Sequence, residues 1–178
     1  MKNTNSPQLG LAFGGTEPSE EQPAITFVRE VTATYRGPRR AATKITDPKD
    51  GADFIRKSLP DNSREHFVVL YLDGKHQIIA YSIVFTGTAN KCQVHPREIF
   101  QRAVLVGSVA IILGHNHPSD GEVIPSEDDR NVTNQLKKAG DMLGIKVLDH
   151  VIVNDTGFYS FTESQKANQR RGRTSLIG

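Results

Sequence analysis

The sequence of 178 residues has one cysteine, no tryptophan and no long apolar run. A single cysteine, Cys92, excludes a disulfide within the chain, and we interpret it as a partly buried strand residue. No stretch approaches the roughly 18 apolar residues that a membrane-spanning helix requires. The first residues also lack the charged-then-apolar pattern of a secretion signal. We therefore expect a cytoplasmic protein with one compact domain.

An excess of charge of one sign is also lacking, because the formal net charge is only +2. This balance does not by itself indicate nucleic-acid binding. Basic residues are nevertheless concentrated near the end, where Arg170, Arg171 and Arg173 occur with no acidic residue between 166 and 178. Such a segment can contact phosphates, although most basic termini are simply solvated. We predict a basic flexible tail over residues 166–178, with DNA contact as one use of it.

The remaining chain divides into a leader and a domain. Residues 1–24 are rich in Asn, Ser, Pro, Gly, Glu and Gln and show no periodicity, so we predict a disordered leader. The domain is expected over residues 25–165. Apolar and β-branched runs predict its strands at 25–35, 67–72, 77–86, 109–113, 147–153 and 158–161.

Three helices are predicted between these strands. Asp47 and Pro48 provide the N-cap and first position of one helix, and a second begins near Pro96. The third begins after Ser126, which forms a capping box with Asp129. Its apolar face and its end are given by Val132, Leu136, Ala139, Leu143 and Gly144. Because two hairpins require antiparallel pairing, we predict an α/β sandwich whose mixed, mostly antiparallel sheet is flanked by helices.

Two histidines follow the strand predicted at 109–113, which reads as buried on both faces. His115 and His117 are two residues apart, so on an extended backbone both imidazoles point the same way and reach one ion. A carboxylate about a dozen residues later, in the first turn of the third helix, completes three ligands. Two nitrogens and one oxygen suit Zn²⁺ and leave a fourth corner for water, as in a catalytic site.

The segments HNHPS at 115–119 and PSEDD at 125–129 resemble the motif of RadC-type members of the JAB/MPN metalloprotease family, also called JAMM. Further similar stretches are 65–73, 94–100, 139–145 and 148–153. The resemblance covers roughly residues 45–163 and implies the MPN/JAB (cytidine-deaminase-like) sandwich. Residues 1–44 look too short and polar for the helix-hairpin-helix region usual in RadC proteins, which implies the short stand-alone form.

The resemblance also implies roles for individual residues. His115, His117 and the aspartate bind zinc, an upstream glutamate takes a proton from the activated water and passes it to the leaving amine, and Ser126 steadies the tetrahedral intermediate. The implied function is hydrolysis of an amide bond in a peptide or an isopeptide-linked protein. The alternative is a DNA-repair-associated, RadC-like protein that binds or processes DNA. A non-enzymatic scaffold is less favoured, since scaffold members lack the metal ligands.

Two of these roles have a competing residue. The usual ten-residue separation from the second histidine selects Asp128, whereas the serine-to-aspartate spacing selects Asp129. We prefer Asp129, because a loop absorbs an extra residue more easily than a helical turn, where one step rotates a side chain by about 100°. For the base we prefer Glu65, which precedes a strand as in the family. Glu98 is explained as a first-turn acid of the second helix.

The other histidines are expected to have structural roles. His66 and His76 flank a hairpin and are predicted to be exposed. His95 precedes a proline and is expected to shape a turn or to hydrogen-bond a backbone group, with proximity to the metal as the alternative. His150 resembles a position typical of RadC proteins, and we interpret it as a buried, hydrogen-bonded histidine rather than a metal ligand.

Overall fold

A five-stranded sheet organises the part of the chain described by a computed structural model, which comprises residues 43–87, 94–118 and 121–174. For residues 170–174 only the backbone is described. The leader predicted at 1–24, the strand predicted at 25–35 and Cys92 lie outside these ranges.

Helices are interspersed with single strands and strand pairs along the described chain. The helices are α1 (Pro48–Ser58), α2 (Pro96–Leu105), α3 (Glu127–Leu143) and α4 (Phe161–Thr174). The strands are β1 (Glu65–Leu72), β2 (Ile78–Gly87), β3 (Ala110–Asn116), β4 (Lys146–Val153) and β5 (Phe158–Ser160). Among the described residues, no helix has the length and apolar character needed to cross a bilayer.

The strands are arranged in the order β2-β1-β3-β4-β5. Both predicted hairpins are present, since β1 pairs antiparallel with β2 and β4 pairs antiparallel with β5. β1 and β3 are also antiparallel, whereas β3 and β4 are parallel and are connected through α3. The prediction of a mixed, mostly antiparallel sheet flanked by helices is therefore confirmed.

The helix boundaries follow from local capping. The Asp47 side chain accepts a hydrogen bond from the backbone N–H of Asp50, and Ser126 does the same for Asp129. In both helices the third-position aspartate also accepts from the cap backbone, which completes a capping box. Gly144 ends α3 with φ of 70°, a conformation that glycine adopts at little cost. The N-caps Asp47 and Ser126, the capping box of α3 and its end at Gly144 were predicted correctly from the sequence.

The sheet is buried on both faces. On one face, alternate residues of β1 and β3 pack with α1, and on the other face their neighbours pack with α2 and α3. All seven residues of β3 are buried, as predicted, although the strand begins at Ala110 because Val109 is half exposed. Gly114 allows α1 to approach closely, since a β-carbon there would overlap the Ile55 side chain.

The predicted apolar face of α3 is confirmed in part. Leu136 is buried and Val132 and Ala139 pack against the core, whereas Leu143 is 54% exposed. Thr133 and Gly140 complete the buried stripe.

The predicted end of the last strand was wrong. The last hairpin strand stops at Ser160, whose Oγ accepts a hydrogen bond from the backbone N–H of Glu163 and so caps α4. Phe161 consequently begins a helix instead of ending a strand.

The predicted flexible tail is helical over most of its length. Residues 161–174 form α4, so the backbone from 166 to 174 is regular where the sequence analysis predicted a flexible segment. The reason is composition, because residues 163–171 consist largely of Glu, Gln, Lys, Ala and Arg, which favour helices. Residues 175–178 lie outside the described part of the chain.

Candidate metal centre

The start of β1, the end of β3 and the start of α3 meet at one end of the sheet. Phe67 of β1 pairs with His115 of β3, so Glu65 at the start of β1 lies beside the end of β3. Glu65, His115 and His117 each offer a ligand atom, and these atoms lie within 4.8 Å of one another. The first turn of α3 adds Asp129 to the same group. The structure therefore brings these four predicted residues together.

The two histidines point into this group as the spacing predicted. His115 is the sixth residue of β3 and is buried, and its Nε2 lies 3.1 Å from Nε2 of His117. The backbone N–H of His117 donates to the carbonyl of Val153 at 2.8 Å. This bond continues the pairing with β4 beyond the end of β3, which keeps residues 115–117 extended and both imidazoles on one side.

The carboxylate of Asp129 contacts both the helix cap and the histidines. Its Oδ2 accepts hydrogen bonds from the backbone N–H of Ser126 at 2.8 Å and from the Ser126 hydroxyl at 2.7 Å. Its Oδ1 lies 3.2 Å from Nε2 of His115, and Oδ2 lies 3.9 Å from Nε2 of His117. The capping box thus fixes the side chain that faces both histidines.

The competing residues lie elsewhere. Asp128 is exposed, because one step along the helix turns its side chain away from the buried face. Glu98 is exposed on α2, where its carboxylate forms an ion pair with Arg102 at 3.2 Å. The preferred member of each pair, Asp129 or Glu65, is the one that lies beside the histidines.

Glu65 lies slightly farther from the histidines than Asp129 does. Its Oε1 is 4.0 Å from Nε2 of His115, and its side chain is 16% exposed. Burial raises the pKa of Glu65; the negative charge of Asp129 adds to this effect, and His117 opposes it. A carboxylate whose pKa is moved toward neutrality is suited to exchanging a proton with a nearby group.

Asn116, between the two histidines, positions Glu65. Its Oδ1 accepts the backbone N–H of His66 at 2.8 Å, and its Nδ2 donates to the carbonyl of Arg64 at 2.8 Å. These are the two residues that flank Glu65. These contacts join residues about 50 positions apart, which no local pattern in the sequence indicates.

A second row of polar groups lies behind His115. Its Nδ1 is 2.9 Å from Nε2 of His150, and Nδ1 of His150 is 2.6 Å from the hydroxyl of Thr133. Burial lowers the pKa of His115 to about 4 and lowers the pKa of His150 well below its usual value. Both rings are therefore neutral at pH 7, the form in which an imidazole binds a metal.

His150 is the buried, hydrogen-bonded residue that the sequence analysis expected. Thr133 was missed. The available signal was its position four residues after Asp129, which places both on one face of α3.

The remaining histidines give a mixed outcome. His66 is 1% exposed, contrary to the prediction, and its Nδ1 lies 2.9 Å from the Thr86 hydroxyl. The error arose because β1 is an interior strand, with β3 on one side and its hairpin partner β2 on the other. His76 is exposed as predicted. His95 caps α2 by accepting the backbone N–H of Arg97 at 3.1 Å, which is the backbone bond expected of it.

The chain is similar to proteins of one family. The family model described as RadC-like JAB domain matches residues 45–167. A UPF0758 protein of Staphylococcus aureus (strain bovine RF122 / ET3-1) is 46% identical over 146 residues, which cover 80% of this chain and 64% of the relative. A UPF0758 protein of Chlorobium phaeovibrioides (strain DSM 265 / 1930) is 41% identical over 166 residues, covering 93% and 73%. The chain thus spans slightly less than two thirds of the Staphylococcus relative.

The family model covers more than half of the chain, and the matched range contains both histidines, Asp129, Glu65 and Ser126. The chain therefore belongs to the RadC-like JAB domain family.

Proposed function

We propose that this protein is a zinc-dependent hydrolase that cleaves an amide bond in a peptide or in an isopeptide-linked protein. The observation that carries the proposal is the convergence of His115, His117 and Asp129, with Glu65 4.0 Å from the nearest histidine nitrogen. Membership of the JAB family supports the same reading. The site combines metal-binding donors with a separate carboxylate for proton transfer, which a purely structural metal site does not need.

Two of the three spacings between donor atoms are close to those of a zinc site, and the third, from Nε2 of His117 to Oδ2 of Asp129, is 3.9 Å. With zinc–nitrogen and zinc–oxygen bonds near 2.0–2.2 Å, tetrahedral ligand atoms lie about 3.3–3.6 Å apart. Nε2 of His115 is 3.1 Å from Nε2 of His117 and 3.2 Å from Oδ1 of Asp129. We therefore take Asp129, rather than the more distant Glu65, as the third ligand in the proposal. Two imidazoles and one carboxylate are also a donor set that zinc favours.

A zinc ion held by His115, His117 and Asp129 would supply Lewis acidity, which would lower the pKa of water and polarise the amide carbonyl. Glu65 accepts the proton released by the attacking water and transfers it to the amine nitrogen as the carbon–nitrogen bond breaks. The products are a carboxylic acid and an amine. Burial suits Glu65 to both steps, because it raises the pKa of the carboxyl group and so makes its protonated form easier to reach.

Ser126 has two parts in the proposal. Its N–H and hydroxyl groups hold Oδ2 of Asp129, which orients the third ligand. The resemblance also predicts that its hydroxyl donates to the oxyanion that develops from the carbonyl. That donation requires the hydroxyl to turn away from Asp129 when substrate is bound, and it remains a prediction.

The test is cleavage of a panel of peptides and isopeptide-linked conjugates by the full chain loaded with one equivalent of zinc. Glu65→Gln is expected to retain zinc and lose about 10²- to 10⁴-fold in rate, the usual contribution of a general base. Glu98→Gln is the matched control, because it removes an exposed glutamate that forms an ion pair with Arg102 on the same helix; it should cleave as the wild type does. Full zinc occupancy with no cleavage of any substrate would contradict the proposal.

A second candidate function is contact with DNA through α4. The helix extends to Thr174 and so includes Arg170, Arg171 and Arg173, with no acid after Glu163. Each phosphate neutralised by such residues adds salt-dependent affinity. We expect binding to duplex DNA at low salt that is lost when the three arginines are changed to alanine. Absence of binding at low salt would exclude this function.

A further inference from the structure

Thr133, His150 and His115 form a continuous chain of hydrogen bonds behind the proposed metal site. The Thr133 hydroxyl donates to the backbone carbonyl of Asp129 at 2.5 Å and lies 2.6 Å from Nδ1 of His150. Nε2 of His150 lies 2.9 Å from Nδ1 of His115. Because Nε2 of His115 faces the carboxylate of Asp129, this series of hydrogen bonds begins and ends at Asp129.

The direction of this chain follows from the first bond. A carbonyl oxygen only accepts, so the single hydroxyl proton of Thr133 is committed to Asp129. The Thr133 oxygen must then accept from Nδ1–H of His150. A neutral imidazole carries one proton, so Nε2 of His150 is an acceptor and takes the proton of Nδ1 of His115. Nε2 of His115 is left without a proton.

The reverse direction loses a hydrogen bond behind the site and blocks metal binding. If Thr133 donated to His150, each imidazole would carry its proton on Nε2. The Nε2–H of His115 would then donate to Oδ1 of Asp129 at 3.2 Å, and this proton would have to leave before a metal ion could bind. The Thr133 hydroxyl oxygen and the Asp129 carbonyl oxygen would then face each other at 2.5 Å with no proton between them. Only the forward direction places a proton in each of the three contacts.

We propose that Thr133 and His150 are positioning residues that hold His115 in the Nδ1–H tautomer, so that its Nε2 is ready to bind the metal. The inference rests on the metal site of the proposed function. It extends the general rule that a metal-binding histidine donates its second N–H to a fixed acceptor, which here is another histidine.

Burial and packing make this arrangement rigid. Thr133 and His150 are 1% and 0% exposed, so water does not compete for their hydrogen bonds. The ring of Phe161 stacks on His150 with a centroid separation of 5.1 Å and an interplanar angle of 7°. The chain also ties β3, β4 and α3 together, which fixes His115 relative to Asp129.

The rigid hydrogen bonds determine how Nε2 of His115 faces Asp129. With its proton on Nδ1, His115 directs a lone pair from Nε2 toward Oδ1 of Asp129 at 3.2 Å. Two acceptors at this distance repel each other unless a cation lies between them. The buried hydrogen bonds therefore maintain an arrangement that a cation relieves, and zinc binding requires no rearrangement of His115.

The test compares Thr133→Val, which keeps the shape but removes the hydroxyl, with Thr133→Ser, which keeps the hydroxyl. Nitrogen-15 NMR of histidine-labelled, zinc-free full chain at neutral pH reports the tautomer of each ring. We expect Nδ1–H on His115 in the wild type and in Thr133→Ser, and Nε2–H in Thr133→Val. Zinc titration should give a Kd raised about 10- to 100-fold in Thr133→Val only, the usual effect of losing such a partner.

Three results would overturn the inference. One is a wild-type spectrum with the His115 proton on Nε2, a reading that needs no variant and holds even if Thr133→Val does not fold. Another is a Thr133→Val protein whose tautomers and zinc Kd match the wild type while only its melting temperature falls, which indicates a merely structural role. The last is weaker zinc binding without a tautomer change. None of these measurements uses hydrolysis, so a failure to cleave amides would leave this inference standing.

Discussion

α1 and α3 begin with the same capping box, yet only one of the two lies at a candidate metal site. In α1, Oδ2 of Asp50 accepts the backbone N–H of the N-cap Asp47 at 3.3 Å, and also the backbone N–H and hydroxyl of the preceding Thr46 at 2.8 and 2.7 Å. In α3, Oδ2 of Asp129 accepts both the backbone N–H and the hydroxyl of the N-cap Ser126, at 2.8 and 2.7 Å. The difference lies in the other oxygen, because Oδ1 of Asp129 faces His115.

The comparison shows that the capping box forms locally, and that metal binding depends on what lies beside it. A capping box orients a third-position aspartate through contacts within four residues, whatever lies beyond them. At α3 the end of β3 supplies two histidines, and the same oriented carboxylate becomes a candidate ligand. Changes at matched positions in the two boxes should therefore have equal effects on folding and different effects on zinc.

The largest difference is expected for Asp129→Asn against Asp50→Asn. Each asparagine keeps an amide oxygen that can accept from the cap, so both proteins should fold. Asp129→Asn removes the negative ligand and should weaken zinc binding by more than about 100-fold, beyond the range seen for outer contacts. Asp50→Asn should bind zinc as the wild type does. Isothermal titration measures both, and equal zinc Kd values in the two variants would remove the distinction between the boxes.

A smaller effect is expected when the cap residues themselves are truncated. Ser126→Ala and Asp47→Ala should each lower the free energy of unfolding by about 1 kcal/mol, the typical cost of losing an N-cap side chain. Ser126→Ala should also weaken zinc binding by about 10-fold, since Asp129 loses a hydrogen bond that orients it. Urea unfolding and zinc titration give the two quantities. A zinc effect from Asp47→Ala would contradict the assignment.

A third difference concerns acid stability of the zinc-free protein. Hydrogen bonds from the Thr46 side chain, and then from its backbone, lower the pKa of Asp50 below 3.8. The unfolded chain therefore takes up this proton first as the pH falls. The stabilisation is present above the unfolded pKa and is lost as the pH falls through the folded one.

The wild type should consequently lose its stability advantage over Asp50→Asn between about pH 5 and pH 3. Urea midpoints measured in chelator across that range provide the check. A constant gap between the two proteins would show that Asp50 does not contribute in this way.

The smallest effect is expected for Asp128→Asn, which tests the residue chosen by the alternative spacing. Asp128 is exposed beside Asp129, so its loss should change the zinc Kd by less than about twofold, as for most surface substitutions. A loss of zinc comparable to that in Asp129→Asn would mean that the loop before α3 shifts the ligand by one residue.

The sequence was most informative where the determinants are local. Asp47, Ser126 and Gly144 mark helix ends through contacts within a few residues, and all three were predicted correctly. The pair His115 and His117 required only the two-residue repeat of an extended backbone. The choice of Asp129 as their partner came from the serine-to-aspartate spacing of the resemblance, since no local pattern brings the start of α3 to the end of β3.

Features that depend on pairing between distant strands were not predictable in the same way. His150 lies beside Leu113 only because the register of β3 and β4 shifts between Ile111 and Ile112. Without that shift Asp149 would pair with Leu113, and a one-residue slip moves every side chain to the opposite face. The burial of His66 likewise depends on β3 covering β1, which the hairpin pattern alone does not reveal.

The most direct test of the account is a crystal structure of the zinc-loaded full chain with anomalous data at the zinc edge. We predict one ion bonded to Nε2 of His115, Nε2 of His117 and Oδ1 of Asp129 at about 2.0–2.2 Å, with Glu65 outside bonding distance. An ion held by Glu65 and the two histidines, with both Asp129 oxygens directed only to the helix cap, would contradict it.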